Sequence, residues 1–323
     1  MVSTVRRFGQ YPHMHDVLLL GPQFRAPNLR EALDCAGLRG PLVTITAGWQ
    51  EREGELAALE EHLGCRARDL RLYERAEALF AHEPALHEAH RARQNDLRRL
   101  QDLYRVRLDH AKAAARELLR DEDDSPLARR ARRAAVAALR RLDDEHLRDI
   151  RARHRRFDAE WPAERTPVLA AQVEEIGHMV GAAAMVCIAG GHVAVLLNRL
   201  RLFGLARVLR ERPVVAWSAG AMAIAERVVL FHDHPPQGAG NAELFEAGLG
   251  LVRGAVLLPH AATRLATGDR HRVALLARRL APATGYTLDD GSRLLWRRGR
   301  LAEAAGSQRL TRAGALAPAG ARA

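Results

Sequence analysis

Between residues 76 and 162 the chain contains almost nothing but helix formers, chiefly Arg, Ala, Leu, Asp and Glu. On either side of that stretch, short apolar runs alternate with helical patterns. This interrupted alternation constrains the fold more than any other feature. Before it come a strand pattern in HDVLLLG (15–21), a helix closed by glycine in APNLREALDCAG (26–37) and a β-branched strand in PLVTITAG (41–48). A helix in REGELAALEEHLG (52–64) and a third strand in ARDLRLYE (67–74) follow. After it, AMVCIAGG (184–191) and PVVAWS (213–218) read as strands, each preceded by a helical pattern, and GLGLVRGAVLLPHA supplies one or two more. TGYTLDDGSRLLWRRGRL reads as a hairpin turning at Asp290 and Gly291. Strands alternating with helices predict an α/β fold: a doubly wound, mostly parallel sheet with helices on both faces, interrupted by a long inserted α-helical hairpin. The core is expected over 12–302 and the insertion over 78–163. The Ala/Gly/Pro-rich 303–323 reads as a disordered tail.

Within the insertion, Leu97, Leu100, Tyr104, Leu108, Ala111 and Ala115 form one narrow apolar stripe, and Ala135, Leu139, Leu142 and Ile150 form another. DEDDSP (121–126) separates them. Asp124 or Ser125 can cap the second helix, with Pro126 in its first turn. Two helices sharing so thin a seam need a further surface, either their own domain or a second copy. A homodimer built partly through the hairpin is therefore expected.

The formal net charge is +11, but the basic residues are almost all arginine, with Lys112 the only lysine, and acidic residues are interleaved with them. Few aromatic residues are available to stack on bases, which disfavours nucleic acid as a partner. No run approaches the ~20 apolar residues of a membrane helix, and the first residues lack the apolar centre of a secretory signal. A cytoplasmic protein is expected, with Cys35, Cys65 and Cys187 reduced and buried.

Four features carry candidate chemistry. In VVAWSAGAMA (214–223) a β-branched run stops at Ser218 amid small residues. Such a serine either caps the following helix or is lifted clear of the sheet as a nucleophile, with the N–H of Ala219 beside it. In AGGH (189–192), which ends at His192, Gly190 and Gly191 either form a tight turn or let a backbone N–H approach a substrate carbonyl. His260, at the end of the apolar run LLPHA, is a structural donor or the base that a serine nucleophile requires. His232, Asp233 and His234 form a solvated loop, supply a carboxylate that orients the base, or bind zinc with His13 and His15. The spacings match no metal signature, so no metal or cofactor is expected.

IAGG, WSAGA and LLPH, in this order, resemble the family of dipeptidase E and cyanophycinase, serine hydrolases with a class I glutamine-amidotransferase-like fold. The resemblance covers about 15–75 and 165–300. It implies Ser218 as nucleophile, His260 as base, Asp233, 15 residues after the serine, as the acidic member, and the N–H groups of Gly191 and Ala219 as oxyanion hole. It further implies a peptide or small amide substrate. An arginine after the histidine, Arg264, Arg270 or Arg272, would receive a substrate carboxylate. Departures are Ala216 for a glycine, His192 and Val193 for a polar pair, Ala261 for an aromatic residue, and the hairpin itself, which short dipeptidases lack. These changes keep a second reading open, a catalytically silent scaffold that recruits partners through the hairpin.

Overall fold

A computed structural model describes residues 15–231 and 242–320. The chain starts with β1 (Val17–Leu20), α1 (Leu29–Ala36), β2 (Leu42–Ile45), α2 (Ala57–Leu63), β3 (Arg68–Asp69) and α3 (Leu72–His82). Two long helices follow, α4 (Pro84–Arg120) and α5 (Pro126–Glu160). The α/β pattern resumes with α6 (Pro167–Ala182), β4 (Met185–Ile188), α7 (Val193–Leu202), α8 (Leu205–Val208), β5 (Val214–Trp217) and α9 (Ala219–Ile224). Next come β6 (Arg227–Leu230), β7 (Glu243–Ala247), β8 (Ala255–Pro259), α10 (Ala261–Arg264) and α11 (Arg270–Leu280). The described chain closes with β9 (Thr284–Leu288), β10 (Arg293–Arg297), β11 (Arg300–Ala305), β12 (Gln308–Leu310) and β13 (Leu316–Pro318).

The central sheet has the order β11-β10-β1-β5-β4-β2-β3. β1 to β5 are mutually parallel, and β10 and β11 add an antiparallel edge. β1, β2, β4 and β5 are buried along their whole length, as expected for parallel strands covered on both faces. Alternate residues serve opposite cores. Leu19, Ile45, Ile188 and Ala216 face α3, α6, α7 and α9. Leu18, Leu42, Cys187 and Val215 face Leu29 and Leu33 of α1 and Leu59 and Leu63 of α2. The doubly wound sheet is thus present. A second sheet, β13-β12-β9-β8, and the antiparallel pair β6-β7 complete the fold.

The hairpin follows its sequence signals closely. Ser125 caps α5, its hydroxyl accepting the N–H of Ala128 at 3.1 Å, and Pro126 starts the helix. Its apolar stripe, however, does not stand free. Tyr104, Leu108, Leu139, Leu142 and Ile150 pack with Val229, Val256, Leu258, Val273 and Leu276 in one core. A buried polar network pins the same face. Arg279 donates to both carboxylate oxygens of Asp143, at 2.7 and 2.8 Å, to the Tyr104 hydroxyl at 2.6 Å and to the Ala242 carbonyl at 2.7 Å. Tyr104 in turn donates to Asp143 and accepts the Leu244 N–H. Every polar member has a partner, so the network fixes how the hairpin seats rather than leaving buried groups unpaired.

The structure corrects several expectations. The third strand is only two residues long, because Leu72 already begins α3 with its apolar face in the core. The turn at Asp290 and Gly291 does not close a hairpin. The strands it joins, β9 and β10, belong to different sheets, and the true hairpin is β10-β11. Residues 303–320 are no tail: β12 pairs with both β9 and β13 and buries Leu310. Cys35 and Cys65 are exposed free thiols, and only Cys187 is buried.

Candidate active site

β5 runs up the middle of the sheet and ends at Trp217, in register with Leu20 of β1. Ser218 follows with φ 51° and ψ −122°, a conformation that L residues rarely adopt. Its N–H donates to the Leu20 carbonyl at 3.3 Å and its carbonyl accepts the Met222 N–H, so the turn is tied at both ends. The hydroxyl makes no capping bond to α9. The capping role is therefore excluded, and the oxygen is left for another partner. That partner is His260, whose Nε2 lies 3.5 Å from Ser218 Oγ. The separation is longer than a firm hydrogen bond, as catalytic pairs often are before substrate arrives.

The small residues around Ser218 have a steric cause. A Cβ on Gly220 would lie 2.4 Å from the Ile188 carbonyl oxygen, and one on Gly190 would lie 3.0 Å from Ser218 Cβ. Gly191 has φ 106°, and a side chain there would strike the Gly48 carbonyl at 2.4 Å. The N–H of His192 donates to that carbonyl at 2.8 Å. The loop after β4 is thus wedged between the Ser218 turn and the loop after β2. Among the described residues, no hydrogen bond is made by the N–H of Gly191 or of Ala219; Ala219 belongs to the serine turn itself, and Gly191 follows Gly190, whose added Cβ would lie 3.5 Å from the Ala219 nitrogen. Sequence reasoning passed over Gly48, whose only signal was a glycine directly after a β-branched strand. It also missed Gln50, whose backbone at φ 59° and ψ −125° matches that of Ser218.

His260 lies at the end of β8, in the second sheet, where its N–H bonds the Leu288 carbonyl at 3.1 Å and its φ is 58°. Burial holds the imidazole below its usual pKa. The positive charge of Arg264 adds to this, and so does that of Arg25, while Asp290 and Asp289 act in the opposite sense. Asp233, His232, His234 and His13 lie outside the described residues. Asp289 Oδ1 accepts the Ala262 N–H at 2.8 Å, beside the histidine turn. Burial pushes the Cys187 thiol up to about 12, and its place inside β4 removes it as a nucleophile. Among the described residues no group of three His, Cys, Asp or Glu could hold a metal ion.

The remaining candidates separate. His192 accepts the Val195 N–H at 3.3 Å and so caps α7. Arg264 is exposed and close enough to His260 to act on it. Arg270 is turned to the C-terminal segment, where its Nε donates to the Ala313 carbonyl at 2.9 Å. Beside the glycine loop, a cavity of about 860 Å³ is walled by His192, Val193 and Asn198 on one side and by Gln94, Arg98 and Gln101 of α4 on the other. The hairpin therefore borders the loop that carries Gly191.

A serine on a strained strand-to-helix turn at the carboxyl edge of a parallel sheet, faced by a histidine from the second sheet, fits the class of serine hydrolases with an α/β core. Residues 136–303, more than half of the chain, match Peptidase family S51, and the chain belongs to that family of serine peptidases. Among solved structures it is similar to a peptidase from an acI-B1 Actinobacterium, at 13% identity and TM-score 0.46 over 93% of this chain and 92% of that one. It is also similar to a putative peptidase E protein from Listeria monocytogenes EGD-e, at 17% identity and TM-score 0.30 over 43% of this chain and 66% of that one. No curated protein matches the chain. Among the described residues no helix is long and apolar enough to cross a membrane.

Proposed function

We propose that the protein cleaves a peptide or isopeptide bond with Ser218 as nucleophile. His260 Nε2 takes the hydroxyl proton as Oγ attacks the carbonyl carbon, then delivers it to the leaving amine. The N–H groups of Gly191 and Ala219 receive the oxyanion, a donor of this kind being worth about 3 kcal/mol. Asp233 orients His260, with Asp289 and Asp290 as the next candidates. The observation that carries the reading is the strained Ser218 backbone, which presents an uncapped hydroxyl to His260. Strain of this kind costs on the order of 1–3 kcal/mol, and a scaffold needing only a turn would use glycine there.

Arg264 and Arg25 both place positive charge near His260, which favours an acidic residue in the substrate. A second copy would find Leu103 and Val106 on the outer face of α4, 48% and 61% exposed, as its hairpin contact. Light scattering on Leu103→Ser/Val106→Ser should then show a monomer where the parent is a dimer, and an unchanged mass would reject that contact. The reaction is tested by a screen of α- and isoaspartyl dipeptides with matched Asp and Lys members. Turnover should fall by at least about a thousandfold in Ser218→Ala. Equal rates on Asp and Lys peptides would remove the charge preference, and undiminished turnover in the variant would remove the mechanism.

A further inference from the structure

A second cavity, of about 720 Å³, opens where the tip of the hairpin meets the C-terminal part of the domain. It is within the size range of small-ligand sites. Arg129, Arg132, Arg133 and Arg140 enter it from α5, Arg278 from α11 and Arg312 from the turn between β12 and β13. Asp124 is the one carboxylate among the lining residues. The rest of the wall is aliphatic, Val136 and Ala281 included. Six guanidiniums converging from three separate segments repel one another, and the fold tolerates this only in contact with water or a counter-charge.

The cluster is partly pre-set. Asp124 pairs with Arg129 at 2.9 Å and Arg132 at 3.2 Å, and Arg132 also donates to the Asp121 and Asp123 carbonyls at 2.9 and 2.8 Å. Arg278 gives its Nε to the Arg312 carbonyl at 3.2 Å, leaving its terminal nitrogens. Arg133, Arg140 and Arg312 make no ion pair among the described residues. Arg129, Arg133 and Arg140, at i, i+4 and i+11, follow one face of α5, with Arg133 and Arg140 roughly 10 Å apart along the axis.

We propose that this cavity binds a short linear polyphosphate. A guanidinium fork matches phosphate oxygens two at a time, and a row of forks matches a chain of phosphates. No aromatic or amide side chain lines the cavity to read a base, which disfavours a nucleotide. Nor is an acidic peptide favoured, since its backbone N–H groups would find the one carboxylate, Asp124, already held by two arginines. A bound chain would tie α5 to α11 and stabilise the seating of the hairpin by mass action.

The test is calorimetric titration of the whole chain with inorganic tripolyphosphate at 0.15 M salt. Saturable binding of one ligand per chain is expected, weakened at least tenfold in Arg133→Gln/Arg140→Gln and also in Arg312→Gln on its separate segment, with peptidase turnover unchanged. These side chains are exposed, so the variants should fold, and circular dichroism checks this. The proposal is overturned if tripolyphosphate does not saturate, if all variants bind like the parent, or if orthophosphate binds as tightly. It is equally overturned if an oligonucleotide or an oligo-aspartate peptide binds more tightly and loses affinity in the same variants.

Discussion

Gly220 decides whether Ser218 can occupy its turn. An added methyl would meet two backbone oxygens, those of Ile188 and Ala189, at 2.4 and 2.8 Å, and neither can swing away as a side chain could. Gly220→Ala should therefore lower the unfolding free energy by about 1–3 kcal/mol in urea melts and depress turnover with it. With His260 as the proposed base, its titration sets the expected pH response. Because burial and Arg264 hold its pKa below the usual 6.5, the neutral, proton-accepting form persists into mildly acidic solution. The acid limb of kcat/KM should thus fall below pH 6.5, and a limb at or above that value would place the essential base elsewhere. Glu53 titrates in the opposite direction. Burial pushes its carboxyl up to about 7, so the folded state holds a proton that the unfolded state releases near 4.5. Stability from this group is complete below about 4.5 and is lost as pH rises towards 7. Glu53→Gln should accordingly raise Tm relative to the parent at pH 8 and much less at pH 5. The residues around Ser218 were readable because strained turns demand small neighbours. Gly48 was not, because the pairing that needs it, with Gly191, joins loops far apart in sequence.

At the scale of elements, strands buried on both faces announced themselves as unbroken apolar runs, and β1, β2, β4 and β5 fall inside the expected segments. Where pairing depended on distant chain, local signals misled. Asp290 and Gly291 have the chemistry of a hairpin turn, yet they carry the chain from one sheet to another, and the tight turn sits at Arg298 and Gly299 instead. The Ala/Gly/Pro-rich end resembled a tail because its order comes from β9 and not from its own composition. The hairpin helices were legible from their periodicity, but the surface they cover was not. Asp143 and Arg279 supply that information, and neither stood out in sequence. Asp143→Asn leaves the Arg279 guanidinium buried without its charge partner, and losing a buried partner typically costs about 3 kcal/mol. Thermal unfolding should show that loss, with the hairpin detaching first by hydrogen exchange.

For the molecule as a whole, the hairpin is part of the core and not an appendage. Its stripe covers Val229, Val256, Leu258 and Val273, and β8 from that same layer delivers His260 to the serine. Replacing 84–160 with a short Gly/Ser linker should therefore yield an aggregating chain rather than a smaller active enzyme, as static light scattering would show. A soluble, active truncation would mean that the layer beneath is stable alone. The arrangement also explains how residues from two sheets meet: the first sheet positions Ser218, the second His260. The account depends above all on Ser218 being activated by His260. Treatment with a fluorophosphonate, followed by peptide mass spectrometry, tests this most directly. The account predicts one adduct, on Ser218, absent in Ser218→Ala and formed far more slowly in His260→Ala. A chain that stays unlabelled, or labels at another residue, or labels equally fast without His260, would contradict it.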